Sequence, residues 1–331
     1  MASLNNRYLS IAVLIFIAAG LAVFLFSEKS LLLLLMQMDL TLVVALVVLR
    51  FLFIATNGLF LKTYSERFGI PLSIKEWLGL SVVTTMGNSV TPFSGGLMAR
   101  AAYLKQRHGF SYADFTTSLA ANYLVNFWVI GLTGIVALLF LGTSTPGMWL
   151  LLLFFAAATA VASILAIVPV GELRGKSPWI RNLNRVLTGW TLIRKDRRFL
   201  EKLVLYVFVN IALNGLSFYL AYVALGSNVT FMAALVVSLL TAFSILINLT
   251  PGNLGVQEAV TSLSSVLLGL GAGLGFLVAL IIRAAGLLPV LVLGPLFSYI
   301  LTKELAAGRP GITGTKGRVR MTDTGDRADG R

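Results

Sequence analysis

Asn248-Leu-Thr-Pro-Gly-Asn-Leu-Gly-Val-Gln-Glu258 interrupts the apolar C-terminal third of the chain, where an unbroken helix would otherwise be expected. Pro251 withholds a backbone donor and clashes with the preceding turn, while Gly252 and Gly255 leave the main chain bare. Glu258 then places a carboxylate where charge is expensive. Irregular backbone at membrane depth is tolerated only where protein buries it or where it lines a wet cavity. Gly/Pro-interrupted apolar segments are accordingly a pointer to transporter binding sites. The rest of the chain reads as support for this break and for a second one.

Of 331 residues, 57% are hydrophobic and 12% charged, and the mean hydropathy is +0.90. Several apolar runs approach the ~20 residues needed to cross a bilayer, so the fold class is an all-α polytopic membrane protein rather than a soluble domain. The absence of cysteine removes disulfides, thiolate metal sites and cysteine nucleophiles. His108 is the one histidine, so a histidine metal centre is not expected, and neither is a cofactor.

Full spans are expected at 8–26, 40–61, 115–141, 148–170, 203–225 and 274–301, about six in all, or as many as about ten crossings if the arms of the hairpins at 77–107 and 231–270 cross fully. The first is too long for a signal-peptide core and is read as an uncleaved anchor. Arg50 lies inside the second, Asn122 and Asn126 inside the third, and Arg283 inside the last. Shorter apolar stretches at 77–90 and 231–247 each run into a break, and short helices at 97–107 and 256–268 follow. Ser111-x-x-Asp114 has the form of a capping box opening the third span. In the hydrophilic insert at 171–202, Trp179, Ile180, Leu183, Val186, Leu187 and Trp190 recur at helical spacing, with Arg181 and Arg185 opposite. That pattern suits a helix lying in the interface over anionic lipid, or a connector packed on the protein. The tail at 303–331 has a disordered composition. The domain layout is therefore a membrane domain over 1–302, with repeats at about 40–170 and 203–301, plus the tail.

The net charge of +13 is unevenly placed. Putting Arg7, the 62–76 loop, the 97–114 segment, the 171–202 insert and the tail on one side collects all Lys and Arg except Lys29, Arg50 and Arg283. That is a positive-inside signature with both termini cytoplasmic, in the plasma membrane, and not a nucleic-acid face.

The two breaks resemble each other. One reads Asn88…Thr91-Pro92-x-x-x-Gly96, the other Asn248…Thr250-Pro251-x-x-x-Gly255. Thr145-Pro146-Gly147 is a third Thr-Pro pair in a plain turn, so it is the context that matters: shortened segment, break, short helix, long span with a polar residue inside. The loop charges make the first hairpin (77–107) enter from the cytoplasm and the second (231–270) from outside. Two broken, re-entrant hairpins of opposite orientation make an inverted repeat, which in transporters places a site near the midplane. A lateral opening toward lipid is expected between the hairpins and the 274–301 span.

Arg50, Glu258 and Arg283 are the charges inside expected membrane segments, each costing roughly 2.5–3.5 kcal/mol at the bilayer centre. A buried ion pair locking helices together would use Glu258 and one arginine and leave the other over. Two guanidiniums with one carboxylate make a net positive cavity, and the arginine fork suits phosphate oxygens. The breaks at Thr91/Pro92 and Pro251/Gly252 are expected to add free backbone donors at half-helix N-termini. The candidate binding residues are Arg50, Asn88, Thr91, Pro92, Gly96, Asn122, Asn126, Asn248, Thr250, Pro251, Gly252, Asn253, Gly255, Gln257, Glu258 and Arg283. Arg100, near the cytoplasmic end of the first hairpin, reads as a lure for the anion or as a plain inside anchor, the anchor being preferred.

Pro251-Gly-Asn-Leu-Gly-Val-Gln-Glu258 resembles the Pro-Gly-Gly-x-Gly-x-x-Glu signature of the flippase-like family named for the transmembrane domain of lysylphosphatidylglycerol synthase. Arg50 in an early span, the Thr-Pro…Gly-Gly break and Arg283 in the last long span are also similar to its pattern, over roughly residues 8–302. The resemblance implies a stand-alone membrane domain, without the synthase's soluble domain, that moves lipid head groups between leaflets. Asn253 stands where the family usually has a second glycine, and Gln257 where a basic residue is common. Three functions are carried forward: a flippase or transporter for an anionic, phosphate-bearing lipid (phospholipid, polyprenyl phosphate or lipid-linked sugar), an integral-membrane enzyme or accessory protein of lipid-linked glycan or aminoacyl-lipid synthesis, and a scaffold whose buried charges are structural. A homo-oligomer is compatible with all three.

Overall fold

The computed structural model describes residues 38–142, 146–167, 196–247 and 250–306. The expected span at 8–26, most of the 171–202 insert, Asn248 and the tail beyond 306 lie outside the described residues. Nine α-helices occur among the described residues: α1 (Leu40–Arg67), α2 (Ile74–Val90), α3 (Gly95–His108), α4 (Tyr112–Leu141), α5 (Pro146–Ile167), α6 (Arg197–Ala224), α7 (Phe231–Ala242), α8 (Val256–Leu267) and α9 (Ala272–Ala306). Two short 3-10 turns, Phe243–Ile247 and Pro251–Asn253, link α7 to α8. The described residues form an all-helical structure, and α1, α4, α5, α6 and α9 are long and apolar enough to cross a membrane.

Local chemistry explains the helix ends. Asp39, Ser73, Ser111, Asp196 and Thr230 each stand in extended backbone and accept a first-turn N–H. At α2 the device is reciprocal: Ser73 Oγ caps Glu76 N, and Glu76 Oε2 takes the Ser73 N–H at 3.0 Å. The helix α3 stops at Gly109, whose φ of 68° is the left-handed turn that a helix C-terminus favours.

The outer helices are apolar all round because lipid, not water, faces them. Phe140, Leu153 and Val292 are 76%, 66% and 73% exposed, a surface no soluble protein of this size would keep. Inside, α1 packs along α6, with α2 against α9 and α7 against α4. Small residues allow close approach: a Cβ on Gly87 would sit 2.7 Å from the Gly96 Cα, so α2 and α3 meet backbone to backbone. On the second side α8 packs along α9, whereas α3 barely touches α4.

Candidate functional site

The two breaks adjoin each other. A Cβ on Gly252 would lie 3.4 Å from the Cα of Ser89, so the second break abuts the last turn of α2. In the second break Gly252 and Asn253 both have positive φ, 60° and 57°. Asparagine is among the few side chains that tolerate that backbone, which accounts for Asn253 where a glycine is usual.

Glu258 and Arg283 form the clamp behind this break. Arg283 Nε and Nη2 both lie 2.6 Å from Glu258 Oε1, and Arg283 Nη1 donates to the Gly252 carbonyl at 2.7 Å. Glu258 Oε2 accepts the Gly255 N–H at 2.8 Å. Both carboxylate oxygens are therefore engaged, and Glu258 is buried. At each break one backbone donor is taken by a side chain of the protein: Glu258 Oε2 accepts the Gly255 N–H ahead of α8, and Asn88 Oδ1 accepts the Leu97 N–H at the start of α3. Thr91 donates to the Gly87 carbonyl, and Thr250 to that of Leu254. Pro251 is buried at the junction, while Pro92 and Gly96 shape the first turn.

In front of the clamp lies a cavity of about 450 Å³. Arg50, Asn88, Asn122, Asn126, Gly252, Asn253 and Gln257 line it, as expected site residues; Glu258 and Arg283 do not. Arg50 Nη1 donates to Asn214 Oδ1 at 2.8 Å, its guanidinium stands 4.8 Å from the Phe53 ring centre, and its buried Nε makes no hydrogen bond within the protein. Gly286 of α9 leaves room for this side chain. Arg100 also lines the cavity, donating Nε to Thr84 Oγ1 at 2.8 Å, so it is a wall residue and not merely a surface anchor.

Sequence reading missed Asn57, Tyr64, Asn210 and Asn214. The signal was present as polar residues inside apolar spans, with Asn210 and Asn214 four apart on one helical face. Asn210 Nδ2 donates to Asn57 Oδ1 at 2.9 Å, tying α6 to α1 beside Arg50. Among the described residues, no Asp, Glu, Lys or His lines the cavity. The other acidic and imidazole candidates have structural partners: Asp39 caps α1, Asp114 Oδ2 accepts the Ser111 hydroxyl, and His108 Nε2 lies 2.8 Å from Glu76 Oε1. Among the described residues no group of three His, Cys, Asp or Glu is placed to hold a metal.

The turn Phe243–Ile247 gives the cavity wall an apolar residue and is itself exposed from Ile245 on. Ile245 lines the cavity while 44% exposed, and its neighbours Leu246 and Ile247 are 66% and 52% exposed. That turn follows α7, and α2 and α8 both pack on α9, the last span.

A family model described as the lysylphosphatidylglycerol synthase TM region matches residues 9–294. A membrane-spanning chain with Arg50 in an early helix and the Pro251–Glu258 break clamped by Arg283 thus belongs to that family, whose name ties it to membrane lipid synthesis. No curated protein matches the chain.

Proposed function

We propose that the protein is a flippase-type transporter for an anionic lipid whose phosphate-bearing head group occupies the cavity while its tails stay in the bilayer. One observation carries this reading: Arg50, a guanidinium within a membrane helix, faces a polar cavity with asparagine, not a carboxylate, as its partner. A cation kept at such cost at membrane depth marks a substrate path, and phosphate oxygens match its fork. The exposed aliphatic edge at Ile245 supports a lipid over a small solute, since it offers tails a way past the wall. The lining lacks a carboxylate or imidazole for acid–base work, which favours a carrier over an enzyme.

The packing supports the inverted repeat and its re-entrant hairpins. In that arrangement α1 and α6 are equivalent and adjacent, α2 with α3 answers α7 with α8, and each hairpin crosses over to pack on the long helix of the other half, α9 or α4. With the basic loops inside, the chain crosses about six times, and the α3/α4 gap faces the cytoplasm while α8 and α9 close the outer side.

The test is leaflet-resolved transport in proteoliposomes of the plasma-membrane type, using fluorescent phosphatidylglycerol and a short-chain polyprenyl phosphate beside protein-free vesicles. Movement of either lipid above the protein-free rate, with the lipid chemically unchanged by mass spectrometry, is the expected result. A covalently altered lipid would transfer the assignment to an enzyme, and no movement of either would remove the flippase reading for these substrates.

A further inference from the structure

Two guanidiniums reach the cavity, and neither belongs to Arg283. Arg50 of α1 and Arg100 of α3 both line it, and each keeps part of its surface although it lies deep in the protein. Arg100 Nε donates to Thr84 Oγ1 at 2.8 Å, while its Nη1 and Nη2 make no hydrogen bond among the described residues and are not sealed off. Arg50 gives Nη1 to Asn214 Oδ1 and buries Nε near Gly286 of α9, which leaves Nη2 as its accessible nitrogen without a partner. Two amides add donors. Asn88 Oδ1 accepts the Leu97 N–H, and Asn122 Oδ1 accepts from Asn126 Nδ2 at 3.1 Å, so both amide orientations are fixed with Nδ2 left over. Neither Nδ2 is sealed off.

The accessible polar wall therefore offers donors on two cations and two amides. No carboxylate among the described residues lines the cavity, since Glu258 is held behind the break by Arg283. Uncompensated charge at membrane depth is costly, so a ligand that answers both guanidiniums binds better than one that answers a single one. A phosphodiester brings one negative charge. A terminal phosphomonoester brings about −1.5 to −2 and three acceptor oxygens. Head groups with an ammonium add a further cation to a cavity that already holds two, with no acidic side chain to offset it.

We propose that the preferred substrate is a lipid ending in a dianionic phosphate, a phosphomonoester or diphosphate, and that Arg100 is the specificity residue that sets this preference over singly charged phosphodiesters. Arg100 thus fills the place of second cation beside Arg50 that the sequence assigned to Arg283. The inference rests on the transporter reading only for the source of the ligand, a membrane lipid.

The test is a binding series by native mass spectrometry on the full chain in detergent. The probes are short-chain phosphatidic acid, its phosphate methyl ester phosphatidylmethanol, phosphatidylcholine and lysyl-phosphatidylglycerol, with free glycerol 3-phosphate as competitor. Phosphatidic acid and its methyl ester share their tails and differ by one ionisable oxygen, so their ratio isolates the second charge. Wild type is expected to bind phosphatidic acid at least roughly tenfold more tightly than the methyl ester, and the other two lipids more weakly still. Arg100→Gln is expected to lose most of that ratio by weakening phosphatidic acid while the methyl ester stays nearly as before. Arg100→Lys keeps the charge and should keep the preference; the wild-type ratio decides by itself where a variant does not fold. Equal binding of phosphatidic acid and its methyl ester by wild type overturns the proposal, as does a ratio unchanged in folded Arg100→Gln. Selective binding without movement in vesicles would leave it standing and defeat the transport reading. Movement of both lipids at one rate, with equal binding, would do the reverse. Competition by glycerol 3-phosphate equal to that of phosphatidic acid would overturn the lipid as source.

Discussion

Arg50 and Arg283 occupy the same chemistry in opposite ways. Arg283 is neutralised by Glu258 and spends a further N–H on the Gly252 carbonyl, so it holds the break in shape. Removing one member of a buried pair strands the other, which typically costs about 3–5 kcal/mol. Glu258→Gln and Arg283→Met are therefore expected to lower the melting temperature of the purified protein sharply. The double replacement should lose less than the two single losses added together, a coupling that a thermal-unfolding cycle reads directly. Arg50→Ala, by contrast, removes a cation with an amide partner and should leave the melting temperature close to wild type. Three depth charges were legible in the sequence, but not which arginine Glu258 would take, because that depends on how α9 lies across the break. Asn210 and Asn214 were passed over because a lone amide in an apolar run looks the same whether it ties two helices or faces a ligand.

At the scale of elements, the breaks were legible because proline and glycine act locally, and the helices on either side begin and end within a few residues of expectation. What the local signals could not show is that each new helix is capped from within, by Asn88 across nine residues and by Glu258 across three. Two substitutions probe these turns. Gly252→Ala forces a Cβ into left-handed backbone, at about 1–2 kcal/mol, and 3.1 Å from Arg283 Nη1. It should destabilise the clamp without touching the lining of the first hairpin. Gly96→Val would drive side-chain atoms into α2, where a single Cβ already falls 2.8 Å from Asn88 N. The result expected is a displaced α3 and loss of transport, seen as faster proteolysis between α2 and α4.

For the molecule as a whole, the all-helical membrane class and the family were readable from composition and one motif. The packing of α2 on α9 and of α7 on α4 was not, since it follows from contacts between helices distant in sequence. The inverted arrangement makes a direct topological prediction. The chain has no native cysteine, so single cysteines report cleanly. Gln106→Cys, in the last turn of α3, is expected to react with a membrane-impermeant maleimide only from the cytoplasmic side. Asn228→Cys and Ala272→Cys, which flank the second hairpin on exposed positions, should react from outside. Labelling of Ala272→Cys from the inside would mean that α7 and α8 together cross the membrane once, and the inverted repeat would be wrong.

The most direct measurement is the transport rate of phosphatidylglycerol in proteoliposomes carrying wild type, Arg50→Lys or Arg50→Ala, each normalised to folded protein. A charge-assisted hydrogen bond contributes about 1.5–3 kcal/mol, so Arg50→Ala should fall by roughly ten- to hundredfold. Arg50→Lys should lie between, because it keeps the charge and loses the fork. Equal rates for all three proteins would contradict the account, since the cavity would then carry lipid without the cation that defines it.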